Sequence, residues 1–161
     1  MITIREATEA DWPAIWAIFQ IIAAEGDVFA YDESTTEVVA RKLWFDPPVV
    51  CFVAEEDGRV VGSYFLRTNQ PGRGSHVANG GYMVVPEWRG RGAASAMCEH
   101  SIATARHLGF TAMQFNFVIE SNAAALRVWQ KHGFAVVGRL PLAFRHKELG
   151  FVDALVMYRT L

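Results

Sequence analysis

The chain has 161 residues, of which 52% are apolar and 20% charged, and a formal net charge of −2. That length suits one domain, residues 1–161, with a substantial core, and the composition is too apolar for disorder. A duplex binder normally carries a marked basic excess, so no nucleic-acid partner is expected and any phosphate site must be local.

Ile2 and Ile4 alternate with Thr3 and Arg5, the pattern of a short opening strand. Thr8 with Asp11 comes close to a capping box, and Pro13 follows in the first turn, so a helix is expected over about 11–24. It would bury Ile15, Ile18, Phe19 and Ile22 and stop at Gly26. GDVFAYDE reads as a loop. Ser34 with Glu37 has capping-box spacing and predicts a second helix over about 35–45, ended by Pro47 and Pro48. VVCFVAEEDGRVVGSYFLR is a hairpin signature turning at Glu56, Asp57 and Gly58. After the loop NQPGRGS, HVANGGYMVV is a strand whose Gly80 and Gly81 predict a bulge or a close backbone approach. A long helix is expected over about 92–108, then the strand FTAMQFNFV, then a helix capped by Ser121 or Asn122 and closed at Gly133. Two strands, about 134–139 and 151–158, finish the chain. The order β-α-α-β-β-β-α-β-α-β-β predicts an α/β fold, a mixed sheet with helices on both faces.

Cys51 and Cys98 are the only cysteines, too few for a disulfide framework or a zinc site, and are expected as packed thiols. The five histidines show no metal-ligand spacing, so no metal is expected. No signal-peptide pattern opens the chain, and AIWAIFQIIAA is about half a membrane span. A cytoplasmic protein without a membrane partner is the expectation.

The stretch VVPEWRGRGAASAM carries the functional signal. The first N–H groups of a helix lack intrahelical acceptors, and the macrodipole adds about half a positive charge there. Gly90 and Gly92 admit a ligand close to the backbone, and Arg89 and Arg91 add charge, so the turn suits an anion such as a pyrophosphate. A P-loop requires Gly-Lys-Ser/Thr, which is absent. The dinucleotide fingerprint fails at Ser95, and Glu120 lies about thirty positions on rather than about twenty. A polar turn with an ordinary cap remains the alternative on these residues alone.

Arg89-x-x-Gly92-x-Ala94, entered from Val84-Val85-Pro86, resembles the phosphate motif Q/R-x-x-G-x-G/A of the GCN5-related N-acetyltransferase (GNAT) family. Asn122-x-x-Ala125-x-x-x-Trp129-x-Lys131-x-Gly133-Phe134 is similar to its second motif, N-x-x-A-x-x-x-Y-x-K-x-G-F, and the element order agrees along nearly the whole chain. The resemblance implies a mostly antiparallel sheet splayed between the fourth and fifth strands, with acetyl-CoA as cofactor. Backbone N–H groups from Arg89 through Gly90, Arg91, Gly92 and Ala93 to Ala94 would hold its pyrophosphate. Met83, Val84 and Val85 would pair with the pantetheine arm like an added strand. Asn122 would bond the arm, or serve as a plain helix cap, or both. A backbone N–H, that of Val84, would meet the developing oxyanion. Trp129 stands where many members carry a tyrosine that protonates the leaving thiolate; an indole N–H donates a hydrogen bond but is no general acid.

Asn79 and Asn116 each interrupt an apolar strand, either to bind substrate or to satisfy backbone groups across the sheet. HVANGGYMV, RGRG, FNFVIESN and GFVDALVMYRTL resemble the branch with fungal acetyltransferases of the proline analogue azetidine-2-carboxylate, which implies an amino or imino acid as acceptor. In that family the loop carrying Phe29, Tyr31, Asp32 and Glu33 covers the acceptor, and Tyr31 or Glu33 would be the base or a solvated loop residue. Arg145, between the last strands, would pair with a substrate carboxylate or be an ordinary surface arginine. A homodimer joined through sheet edges or C-terminal strands is a further expectation. A non-catalytic acyl-CoA-binding module and a protein or peptide acetyltransferase remain the alternatives.

Overall fold

The computed structural model describes residues 1–161. Its elements are β1 (Thr3–Glu6), α1 (Trp12–Glu25), α2 (Glu37–Trp44), β2 (Val50–Glu56), β3 (Arg59–Thr68), β4 (Val77–Val84), α3 (Ala93–His107), β5 (Ala112–Ile119), α4 (Ala123–Lys131), β6 (Ala135–His146) and β7 (Gly150–Thr160). The order is the one read from the sequence. α1 buries Ile15, Ile18, Phe19 and Ile22 as their spacing predicts, each contributing about 1.5–3 kcal/mol. Gly26 ends it at φ 65°. Asp11, ahead of α1, accepts from the Thr8 N–H (2.7 Å) and from both terminal nitrogens of Arg5 (2.8 and 2.9 Å), and these bonds hold its carboxyl well below the usual range.

One seven-stranded sheet runs β1-β2-β3-β4-β5-β7-β6, antiparallel throughout except between β4 and β5. That parallel pairing is short. It joins Val77 to Ala112, Ala78 to Met113 and Asn79 to Gln114, and then the strands part, so the sheet is splayed where expected. α1 and α2 cover the face carrying Phe65, against whose ring Trp44 stands edge-on at 4.8 Å. The opposite face carries Gly62, where Met97 of α3 packs. Side-chain alternation along β3 therefore puts helices on both faces.

The structure corrects several local expectations. α2 is capped by Thr36, whose Oγ1 accepts from the Val39 N–H, whereas Ser34 donates its hydroxyl to Asp32 (2.5 Å). The glycine pair is not a bulge, because β4 keeps register with β3 from Ala78 to Val84 without a shift. It serves close approach: a Cβ on Gly81 would lie 2.6 Å from the Phe65 ring and 3.3 Å from Trp44. The irregularity sits on β5, whose register with β7 shifts between Phe115 and Val118. β6 runs on to His146, so Phe144, Arg145 and His146 lie in a strand rather than a loop. Pro141 hides that continuity. β6 is an edge strand, where a missing N–H is tolerated, and the Leu142 N–H is held by Asp153 Oδ1 at 2.9 Å across a register shift.

Both cysteines are buried and unpaired, and burial pushes Cys51 up to about 11 and Cys98 up to about 12. No helix is long and apolar enough to cross a membrane.

Candidate active site

The gap between β4 and β5 opens into a cleft of about 800 Å³. Residues Asn79 to Val84 form one wall and Phe115 to Ile119 with α4 the other; the α1–α2 loop, from Asp27 to Tyr31, closes over it. Trp88 to Ser95 lie along the same cleft, apart from Arg91.

The Arg-Gly turn follows a 3-10 turn, Pro86–Trp88, and both glycines are left-handed, Gly90 at φ 75° and Gly92 at φ 89°. The Arg89 N–H bonds the Pro86 carbonyl (3.2 Å) and the Arg91 N–H bonds the Trp88 carbonyl (3.3 Å). The N–H groups of Gly90, Gly92, Ala93, Ala94 and Ser95 have no protein acceptor. Of the N–H groups expected to hold a pyrophosphate, those of Arg89 and Arg91 are occupied by the turn, and that of Ser95 is free as well. Unpaired donors of this kind, at a helix N-terminus beside an open cleft, fit a pyrophosphate. The Arg89 side chain lines the cleft but pairs with Glu25 at 2.5 Å. Arg91 lies outside, its guanidinium 5.1 Å from the Trp88 ring. Ser95 Oγ meets His132 Nε2 at 2.8 Å, and burial, with Lys131 nearby, lowers the His132 pKa.

Antiparallel pairing decides which β4 groups are free. The Val85 N–H bonds Val61 O at 3.0 Å, so odd-numbered residues face β3 and even-numbered ones face β5. Beyond the Asn79–Gln114 pair, the N–H groups of Tyr82 and Val84 therefore open into the gap. Met83 and Val85, expected as strand partners for the pantetheine arm, turn their N–H groups to β3 instead.

Asn122 caps α4, its Oδ1 accepting from the Ala125 N–H (3.2 Å), and it also lines the cleft, so the cap role is present with its amide nitrogen unengaged by protein. Trp129 is 7% exposed, packed on Tyr82 (4.6 Å) and Phe115 (5.1 Å), and lines the cleft. Its Nε1–H has no protein acceptor, whereas those of Trp12, Trp44 and Trp88 bond Glu37, Ser63 and Glu56. The adjacent phenol, Tyr82, bonds Ser101 of α3 at 2.7 Å, and burial raises its pKa well above normal, so it is a poor proton donor to the cleft.

Phe29, Tyr31, Asn79 and Asn116 all line the cleft. The two asparagines are also engaged across the sheet. Asn79 Nδ2 donates to the Gln114 carbonyl (3.0 Å), and Asn116 Nδ2 donates to Asn69 Oδ1 (2.7 Å) while its own Oδ1 accepts from Gln114 (2.9 Å). Arg145 is exposed on β6, does not line the cleft and helps lower the Asp32 pKa, after the Ser34 hydrogen bonds. Glu33 lies 3.7 Å from Lys147, outside the cleft. Among the cleft residues that sequence reasoning missed are Asp27, Arg67 and Ser95. For Arg67 a signal existed, because strand alternation puts it on the same face as Phe65. Asp27 had none, since loop residues carry no period.

The sequence pattern of the acetyltransferase (GNAT) family matches residues 7–134. L-amino acid N-acetyltransferase AaaT of Escherichia coli is 31% identical over 160 residues, 98% of this chain and 97% of that protein. N-acetyltransferase aca1 of Schizosaccharomyces pombe is 33% identical over 98 residues, 60% of this chain and 47% of that protein, so the match spans about half of its length. The solved structure of a GCN5-related N-acetyltransferase from Kribbella flavida superposes with a TM-score of 0.95 at 43% identity, covering 99% of this chain and 98% of that one.

Proposed function

The chain belongs to the acetyltransferase (GNAT) family of acetyl-CoA-dependent N-acetyltransferases, and from that premise we propose that its acceptor is the amine of a small molecule, an amino or imino acid. The observation that carries the acetyl-CoA site is the row of unpaired N–H groups at Gly90 and Gly92 to Ser95, continuous with a cleft whose strand wall also presents unpaired N–H groups. Acetyl-CoA supplies the acetyl thioester. The five N–H groups of the turn would hold its pyrophosphate, with Arg89 adding charge. The N–H groups of Tyr82 and Val84 would receive the amides of the arm, and that of Val84 would stabilise the oxyanion. Asn122 would bond the arm through its unengaged amide nitrogen. The Trp129 Nε1–H would donate to the sulfur; it cannot protonate it, so the thiolate must find its proton elsewhere.

Support for an amino acid comes from the full-length likeness to AaaT, whose name gives L-amino acids as its substrates. The aromatic floor of Phe29, Tyr31, Trp44 and Phe65 suits a small acceptor with an apolar side chain. The test is thiol release from acetyl-CoA across the amino acids, azetidine-2-carboxylate, simple amines and peptides. Turnover of small amines is expected. Turnover of peptides alone would replace the acceptor class.

A homodimer through the β6 edge is part of the same reading. Val136, Val137, Leu140, Leu142, Leu149 and Phe151 are exposed on the β6–β7 hairpin, an apolar edge that a monomer would leave in water. A dimer by sedimentation that Val137→Lys converts to monomer is expected; a monomeric wild type overturns it.

A further inference from the structure

Asp27 Oδ1 is the one buried side-chain polar atom of the chain without a hydrogen-bond partner. Asp27 is also the sole acidic residue lining the cleft. Its carboxylate holds no donor of the protein while the residue lines an open cavity, a position for a ligand's cationic donor.

Its position follows from its neighbours. Glu25, two residues before, pairs with Arg89, next to the anion turn. Phe29, two residues after, lies 5.6 Å from Trp44, which reaches to 3.3 Å from the Gly81 Cβ position. Asp27 lies between Glu25 and Phe29 in the loop that closes over the cleft, and it lines the same cleft as Val84.

Arg67 is the complementary group. It lines the cleft, and no carboxylate or hydrogen-bond acceptor of the protein holds its guanidinium. Its Cα pairs with Asn79, but the guanidinium lies 5.1 Å from the Phe65 ring, and Phe65 pairs with Gly81. The side chain thus lies against the Phe65 ring on the cleft side of β3, in the same cleft as Asp27. Of the other cations lining the cleft, Arg89 is paired with Glu25, and Arg127 and Lys131 belong to α4 on the opposite wall.

We propose that Asp27 and Arg67 form a clamp for a zwitterion, Asp27 taking the acceptor's ammonium and its proton and Arg67 taking the carboxylate; this rests on the acetyltransferase reading above. The ammonium R–NH3+ gives one proton to Asp27, and the freed lone pair forms the nitrogen–carbon bond as the carbon–sulfur bond breaks. The second proton leaves nitrogen with the thiolate, and Asp27 passes the first to solvent, leaving R–NH–acetyl, a thiol and one proton.

Binding and turnover are measured separately. In titration calorimetry with CoA-loaded protein, each amino acid and azetidine-2-carboxylate is compared with its own amide, which keeps the amine and lacks the carboxylate. At least one free acid is expected to bind about tenfold or more tighter than its amide, and Arg67→Gln to remove that preference. Asp27→Asn is expected to lower kcat/KM for the same acid by about 10²–10⁴-fold near neutral pH, recovering as rising pH deprotonates the amine in solution, with Asp27→Glu partly restoring it. Acetyl-CoA affinity should stay within about twofold in all three variants. No free acid bound more tightly than its amide, or a pH profile unchanged in Asp27→Asn, overturns the clamp. Clear zwitterion binding with no acetylation would instead overturn the acetyltransferase reading and keep the clamp.

Discussion

Replacing Gly92 by alanine tests the anion turn most directly. Gly92 has φ 89°, and a Cβ built there meets nothing within 4 Å, so the cost is backbone conformation and not a clash. A non-glycine residue in the left-handed region costs about 1–2 kcal/mol. For a chain of this size that lowers Tm by about 2–8 °C. If the turn instead relaxes toward negative φ, the N–H groups of Ala93 and Ala94 rotate away from a common focus. Each charge-assisted hydrogen bond to a phosphate oxygen is worth about 1.5–3 kcal/mol. Loss of even one weakens acetyl-CoA binding by about tenfold or more. Gly58 is the control: it has φ 74°, nothing within 4 Å, and a place beside Asp57 (φ 52°) in the two-residue turn between β2 and β3, away from the cleft. Melting curves and calorimetric titration of acetyl-CoA on both variants check the reasoning. Gly58→Ala should lower Tm alone, and Gly92→Ala should lower both Tm and affinity. An acetyl-CoA affinity unchanged in Gly92→Ala would refute the cradle.

Arg89→Ala should weaken acetyl-CoA binding about tenfold by the same titration, whereas Arg91→Ala should leave it within about twofold, because that guanidinium is solvent-exposed on Trp88 and screened. Trp129→Phe keeps an aromatic ring on Tyr82 and removes the unpaired N–H; CoA affinity should fall by about 2–10-fold, as a hydrogen bond worth roughly 0.5–1.5 kcal/mol requires. Stability should fall as pH drops below 6.5, since burial lowers the His100 and His132 pKa values from that figure and the unfolded chain then binds more protons. The stabilisation is complete above pH 6.5 and is lost as pH falls through the folded values. Tm measured from pH 8 to pH 5 checks it, and His132→Gln should flatten the slope.

The sequence made the order of elements and the helix start at Gly92 legible for a physical reason: both are written in local periodicity or local spacing. The apolar face of α1 and the glycine-bracketed helix start depend on neighbours three or four residues apart. What stayed hidden depends on groups far apart in the chain. Which N–H groups of the turn are free is decided by the carbonyls of Pro86 and Trp88, which capture those of Arg89 and Arg91. Which residues of β4 face the gap is decided by the register with β3, not by their own identity. Arg145 was misplaced because Pro141 reads as a strand end, and only an edge position lets β6 continue through it. Asp27 emerges only as an unpaired atom, a property no sequence pattern encodes.

The asparagines show why cleft position alone does not assign a role. Asn79 sits at the last parallel pair and donates across it to Gln114, whose side chain bonds Asn116, which in turn bonds Asn69. This network closes the apex from which β4 and β5 diverge, so it shapes the cleft whether or not it touches a substrate. Removing Asn79 would leave the Gln114 carbonyl short of one donor and loosen the point that fixes the splay. An activity loss there is expected on structural grounds and identifies no substrate contact. Asp27 and Arg67 differ: neither makes a hydrogen bond or ion pair within the protein, and Arg67 only rests on the Phe65 ring, so a loss confined to acceptor kinetics assigns them to the ligand.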